Sequence, residues 1–447
     1  MENSPERGAS PDPVEETVAT LDQVLPAMPS LNSQDPIAPS KVPPLWRNRD
    51  YMLLWSGQVV STLGTTASAI VYPLLILALT NSPTAAGIAA ALGGIPYIVF
   101  SLPVGALIDR WDRKRVMILC DIGRGLTLAS IPIAMLFNVL TIWQIYLASL
   151  IEGSLFVFFN IAEVAALPRV VVKKQLPEAA AQNEAAFGVA GIVGPSFGTF
   201  LYQTFGRGVP FVADAVSYSI SVASLFLIKT QFQLERVVVK RNLRAEIAEG
   251  LSWLWHQPLI RYIAFLTGGL NLTFSATTLI IIVLAKKMGA QDAQIGLIFS
   301  IGGMGGIVGS LIGGQIQKRF TFGQVIIGVV WIQALLFPLY IVAPQFLLLG
   351  VISGLIYMMG PIYNVVQFSY RLALIPDELQ GRVNSTFRLL AFGFNPLGAA
   401  LSGVLLERIG IAPTVIAFAL WFLAMAFLTT FNTHVRNARP IEQAQTA

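Results

Sequence analysis

Cysteine and histidine are nearly missing from this chain: one cysteine, Cys120, and two histidines, His256 and His434, occur in 447 residues. A single thiol excludes a disulfide framework within the chain, and three such residues so far apart offer no zinc-ligand spacing, so neither metal nor cofactor is expected. Charge is scarce too. Asp, Glu, Lys and Arg make up 12% of the residues and hydrophobic types 55%, about half the charge of a soluble domain. These proportions point to a membrane protein rather than a string of soluble domains. A Walker-type Gly-rich Lys-Ser/Thr loop is absent, which disfavours an ATP-driven pump, and no nucleophile, base and oxyanion constellation argues for an enzyme. The net charge of +5 comes from short basic clusters between apolar runs, where membrane orientation accounts for it without a nucleic-acid partner.

Residues 1–46 are rich in Pro, Ser, Ala and acids such as Glu15, Glu16 and Asp22, with too few large apolar groups to offset chain entropy. A disordered tail is expected there. It lacks a basic stretch followed by an apolar core, so it does not read as a secretory signal. From Met52 onward twelve mainly apolar segments recur, near residues 52–79, 84–108, 116–137, 142–167, 181–203, 209–229, 259–285, 293–317, 323–343, 346–370, 381–406 and 411–433. Each is long enough for a helix to cross about 30 Å of hydrocarbon and too long for a strand. The predicted class is an all-α membrane protein of twelve transmembrane helices. With the N-terminus inside, Arg207, Lys286, Lys287 and Arg408 are the basic residues outside, Arg124 and Arg388 lie in spans, and the other 23 of 29 fall inside. That asymmetry predicts a multi-pass plasma (inner) membrane protein with both termini, including the tail 434–447, in the cytoplasm.

The joint 230–258 carries Leu243, Ile247, Leu251 and Leu254 at helical spacing, which suggests an amphipathic helix at the membrane surface. It divides the chain into six-helix bundles over 47–229 and 259–433. A shift of 209 residues places Gly87, Gly93, Gly94, Ser101 and Gly105 on Gly296, Gly302, Gly303, Ser310 and Gly314, an internal duplication of the kind secondary transporters use. Asp109 falls on Lys318, so the second copy keeps basic charge and loses the acid.

Six of the eleven residues from Gly105 to Arg115 are ionisable, a burst of charge between two apolar runs. Gly105, then Asp109-Arg110 four residues on, then Arg113-Lys114-Arg115, resembles the cytoplasmic loop signature of the major facilitator superfamily. Trp46 to Tyr51 with Trp55 to Ser61, Glu249-Gly250 with Pro258 to Arg261, and Pro376 to Arg382 look like its macrolide-efflux and enterobactin-exporter group. The resemblance covers residues 44–433. It implies a proton-driven exporter working by alternating access, a monomer in the lipid bilayer with a small-molecule substrate and protons as partners. An exporter of an endogenous metabolite such as a siderophore is an alternative, and a non-transporting receptor or assembly factor on the same scaffold is another.

Gly105 would let helices approach closely, and Asp109 would meet the N-terminus of the eleventh helix near Gln380-Gly381-Arg382, forming a cytoplasmic gate; a solvated turn would explain the basic cluster but not the Gly and Asp spacing. Asp121 and Arg124 share one helix face and are expected to pair within the gate network, to which Arg388 is also assigned. Glu152 lies about 15 Å into its span by helical rise, more central than any other acid. Desolvation favours the neutral carboxyl, so Glu152 is a candidate for proton coupling, with helix packing and substrate recognition as alternatives. Gly191, Gly194, Pro195 and Gly198 resemble the antiporter signature of drug-exporting facilitators, with Thr199 standing where a second Gly is usual; ordinary close packing is the other reading. Gln58, Asn271, Asn364 and Gln367, among aromatics such as Tyr357 and Tyr363, are the cavity candidates, suited to bulky amphipathic compounds.

Overall fold

The computed structural model describes residues 44–108, 110–233, 243–376 and 379–438, which from Leu45 onward belong to one compact unit. Twelve helical spans in it are long and apolar enough to cross a membrane. The first six are α1 (Arg49–Thr80), α2 (Pro83–Ile108), α3 (Arg113–Leu136), α4 (Ile142–Val170), α5 (Leu176–Phe205) and α6 (Val209–Leu227). A shorter helix, α7 (Leu243–His256), connects them to α8 (Pro258–Lys287), α9 (Asp292–Arg319), α10 (Phe322–Leu336), α11 (Phe346–Leu374), α12 (Gln380–Gly393), α13 (Asn395–Arg408) and α14 (Ile411–Phe431). The eleventh span is α12 plus α13, broken at Phe394, where Pro396 lacks the N–H that would continue the ladder. Pro338 interrupts the ninth span after α10 in the same way. No strand occurs among the described residues. Because successive spans alternate in direction, the molecule has a connector face, where α7 lies, and a far face.

Helix ends on the connector face are tied together by side chains that satisfy free backbone groups. Asn48 accepts from the Tyr51 amide at 3.1 Å and donates to the Val170 carbonyl at 2.8 Å. Asp50 accepts from the Thr230 amide at 2.8 Å beyond the end of α6. Asp112 caps α3 through the Arg115 amide at 3.1 Å. Arg113 donates to the Ala165 carbonyl at 2.7 Å and Lys114 to the Ile228 carbonyl at 2.7 Å, placing cations at the negative ends of α4 and α6. The basic cluster is therefore not simply a solvated turn: two of its cations serve as helix C-terminal partners inside the first bundle.

Small residues govern the packing, as expected where no hydrophobic force separates one helix from lipid. Gly57 and Gly64 face α6, and a Cβ at Gly64 would come within 2.5 Å of an Asp214 carboxylate oxygen. Gly198 lies on the backbone of Ala67 in α1, while Gly398, 200 residues later, lies on the backbone of Leu272 in α8. Cross-bundle contacts repeat in the same fashion. Gly87 of α2 sits against the Ala399 carbonyl and Gly403 of α13, and Gly296 of α9 sits against Thr199 and the Pro195 carbonyl of α5. The duplicated glycines thus make equivalent contacts in two related places.

Those cross-bundle contacts belong to the far face and the middle. Gln203 and Gln291 bond at 3.1 Å, Ser196 and Ser300 at 2.7 Å, Thr84 donates its amide to Glu407 at 3.0 Å, and Tyr97 meets Phe392 edge-on at 5.7 Å. Toward the connector face, a Cβ added at Gly105, Gly306, Gly314 or Gly381 would meet nothing within 4 Å among the described residues. The expectation that Gly105 brings helices together is therefore not met here: the end of α2 that carries it faces open space.

The connector helix forms where the pattern placed it. Leu254 is fully buried but Leu251 is 43% exposed. It is seated on α12, with Gly250 against the Arg382 carbonyl and Glu249 paired to the Arg382 guanidinium; the side chains of Leu243 and Ile247 lie outside the described ones.

Candidate functional site

Four helices of the first bundle converge on one buried polar cluster. Arg124 of α3 donates from Nη2 to Oε1 of Glu152 on α4 at 2.8 Å, with the Arg side chain 5% and the Glu side chain 19% exposed. Tyr218 of α6 donates its hydroxyl to the same Glu152 oxygen at 3.3 Å and shares a 2.8 Å hydrogen bond with Thr65 of α1. The Arg124 guanidinium lies 4.3 Å from the centroid of the Tyr218 ring and 5.5 Å from that of Phe156, a cation held by ring faces as well as by its carboxylate. The pair expected between Asp121 and Arg124 is corrected by this geometry. Neighbours at i and i+3 on α3 do not form an ion pair because Arg124 reaches across to α4, and Asp121 instead interacts with Ser221 of α6.

Glu152 is not the lone central acid that its depth suggested. Asp214 of α6 is fully buried, accepting from Ser68 of α1 and, at 3.1 Å, from Ser217. It interacts electrostatically with Glu152. The Tyr72 hydroxyl, buried without a hydrogen-bond partner among the described residues, feels both carboxylates. Glu163, also buried, is bonded by Gln58 and interacts with Asp121. By count Asp214 and Glu163 lie toward helix ends; the helices continue to pack around them, so an end in sequence is not an exit to water. The one signal in the sequence was the serine spacing around Asp214, with Ser217, Ser219 and Ser221 on an otherwise apolar segment.

The remaining predicted residues are scattered. Asp109 lies outside the described residues, Arg110 is exposed, and Arg113 is buried against α4. Asn271 donates to the Ala391 carbonyl at 2.9 Å, a bond between α8 and α12. Gln367 is buried with Oε1 unpartnered among the described residues, and Asn364, one turn earlier, is exposed. No hydrogen bond joins any two of Gln58, Asn271, Asn364 and Gln367 among the described residues. Gly194 and Gly198 pack α5 on α1, while Gly191 and Pro195 present their carbonyls to Gly303 and Gly296 of α9. Thr199, the departure from the antiporter pattern, is matched across the interface by Gly296.

Arg371 was counted in a joint and is instead buried on α11, with Nε and Nη1 unpartnered among the described residues and the guanidinium 3.8 Å from the Phe387 ring centroid. Exposed Arg388 is close enough to interact with it.

This fold agrees with what comparison with known proteins finds. The model of the Major Facilitator Superfamily matches residues 54–394. The chain belongs to that superfamily. Among relatives of this facilitator, multidrug efflux pump Tap of Mycolicibacterium fortuitum is 28% identical over 407 residues, covering 86% of this chain and 96% of its own. Macrolide efflux protein A of Streptococcus pyogenes is 24% identical over 377 residues, covering 82% and 91%. A bacterial homologue of the iron transporter ferroportin, solved in an inward-facing state, superposes with a TM-score of 0.70 at 14% identity over 87% of this chain and 99% of that one; the nucleoside transporter NupG does so at 0.69 and 16%, over 85% and 99%. The facilitator is thus a multi-pass membrane transporter of small molecules, built as two six-helix bundles.

Proposed function

We propose that this facilitator is a proton-coupled exporter of bulky amphipathic small molecules, drug-like or macrolide-like, that works by alternating access between residues 47–229 and 259–433. The observation that carries the reading is the excess of acid in the first bundle's interior. Asp121, Glu152 and Asp214 all interact with one cation, Arg124, and Glu163 is buried beside Asp121. In a low-dielectric interior one guanidinium cannot balance four carboxylates, so protons complete the balance. Glu152 is the member that exchanges its proton, because it alone combines a hydrogen-bonded cation with partial exposure. When the proton arrives, the Glu152 charge disappears and Arg124 is released toward Tyr218 and Asp121; when it leaves, the pair re-forms. Such a pair has two states that substrate and proton can bias in opposite directions.

The excess of Lys and Arg on the connector face supports placing that face in the cytoplasm, with both termini there. Glycine contacts on the far face and open space beside Gly105, Gly314 and Gly381 then support an inward-facing arrangement. In the opposite state Gly105 and Asp109 would meet the start of α12 and form the gate, with Arg388 in the same layer. The efflux relatives support export as the direction. In proteoliposomes, a proton gradient should drive uptake of a hydrophobic drug by inside-out protein, and Glu152→Gln should reduce that uptake to the level without a gradient. Gradient-driven uptake that persists unchanged in Glu152→Gln overturns the coupling role.

A further inference from the structure

On the far face the bundles meet through the ends of four helices, and both meetings follow one plan. Gln203, in the last turn of α5, accepts from the Ala293 amide in the first turn of α9 at 2.8 Å and donates to Gln291, just before that helix, at 3.1 Å. Glu407, in the last turn of α13, accepts from the Thr84 amide in the first turn of α2 at 3.0 Å and from the Ser82 hydroxyl just before it. The positions correspond. Thr84 and Ala293 each stand three residues before the glycine at which the helices cross, Gly87 or Gly296, and Gln203 and Glu407 each stand four residues beyond that glycine's partner, Thr199 or Gly403. The first amides of a helix have no acceptor within it, so each bundle supplies a cap to a helix of the other.

The two caps differ by one charge. Helix α9 brings its own acid, Asp292, in its first turn, paired with Lys286, and its cross-bundle cap is a neutral amide. Helix α2 has no acid in its first turn. Its acid arrives from the other bundle as Glu407, a carboxylate at the positive end of the helix dipole. Each helix also keeps a cap of its own: the Ser82 hydroxyl accepts from the Ala85 amide at 3.1 Å, and Gln294 accepts from the Gln291 amide at 2.8 Å. Parting the bundles therefore releases an exchanged cap without unravelling either helix. Glu407 and Gln203 are exposed, so water replaces the lost partners and the contacts are reversible.

We propose that these exchanged helix caps are the far-face latch of the transport cycle and that the charged one, Glu407 on α2, is the stronger half. The proposal rests on the alternating-access reading and names the residues that hold the far face shut in it. A charge-assisted hydrogen bond is about twice as strong as a neutral one, so the far face is held unequally along its two seams.

The test is double electron–electron resonance on the full chain in nanodiscs. One label pair, Val139→Cys with Gln345→Cys, sits at exposed far-face joints of the two bundles; the other, Lys174→Cys with Arg319→Cys, sits at exposed positions of the connector face. The native Cys120 is buried. Glu407→Ala should raise the ratio of open to closed far face about fivefold, the scale of a lost helix cap. Glu407→Gln keeps an acceptor and loses the charge, so it should raise the ratio about twofold. Gln203→Ala should also raise it about twofold, and the Glu407→Ala, Gln203→Ala double variant should show the product of the two effects. The connector-face distance should shorten in step. An unchanged far-face distribution in the double variant overturns the latch, and a larger shift in Gln203→Ala than in Glu407→Ala overturns the ranking. If drug interchanges the two distances in the parent while the variants match it, the latch falls and alternating access stands. If the variants open the far face while the connector face stays as it was, the latch stands and alternating access falls.

Discussion

The two six-helix bundles pack alike and are charged unlike. Gly198 on Ala67 and Gly398 on Leu272 make the same backbone contact in each copy, and Gly87 and Gly296 mirror each other across the interface. The interiors share no such likeness. The first buries Asp121, Glu163 and Asp214 around the Arg124–Glu152 pair; the second, among the described residues, buries one charged group, Arg371, and no acid. At matching places on helices of equal start, Gln333 of α10 stands for Arg124 of α3, and Gln367 of α11 for Glu163 of α4, both amides with an unpartnered Oε1. A duplicated scaffold needs its small residues twice because close approach is demanded in both copies. Ionisable groups in a membrane are expensive, and one set suffices for the coupling proposed above.

The largest effect that would sharpen this contrast is on Arg124. Arg124→Met strands Glu152 and should lower unfolding stability by about 3–5 kcal/mol, the cost of breaking a buried pair. The double variant with Glu152→Gln should recover much of that, as read by thermal unfolding in detergent; no recovery would mean that Arg124 serves packing alone. Next come the packing equivalents. Gly198→Val and Gly398→Val should each cost about 1–3 kcal/mol by overpacking, and similar costs are the point, since a large difference would break the claim that packing is duplicated. Arg371→Met should cost about 1 kcal/mol, the scale of its ring contacts, since no carboxylate partner occurs among the described residues. Smallest of all, Gly105→Ala and Gly314→Ala face open space and should change stability by less than about 0.5 kcal/mol, yet slow transport if the connector face closes on them during the cycle.

The fold was legible because its signals are redundant. Twelve apolar runs each exceed the bilayer thickness, and the helix bounds depart from expectation by only a few residues, most at Leu176, where α5 begins earlier than the apolar run because Glu178 and Gln182 are good helix formers on a polar end. The breaks at Pro338 and Pro396 were not drawn from the sequence, although the prolines are their cause. The site was half legible. Depth along a span selected Glu152, but pairing depends on which faces meet, and nothing local to Asp121-Ile122-Gly123-Arg124 says that the guanidinium crosses to α4. Asp214 and Arg371 escape a sequence reading for one reason: distance from a helix end measures depth in the bilayer and says nothing about burial among neighbours.

The central claim is that the first bundle's acids hold a proton that substrate displaces through Glu152. The most direct test is proton release on adding a saturating hydrophobic drug to the purified chain in weakly buffered detergent, followed with a pH-sensitive dye. The account predicts release near one proton per bound molecule in the parent and almost none in Glu152→Gln, with Gln367→Ala in the second bundle behaving as the parent. Equal release from the parent and from Glu152→Gln would contradict it.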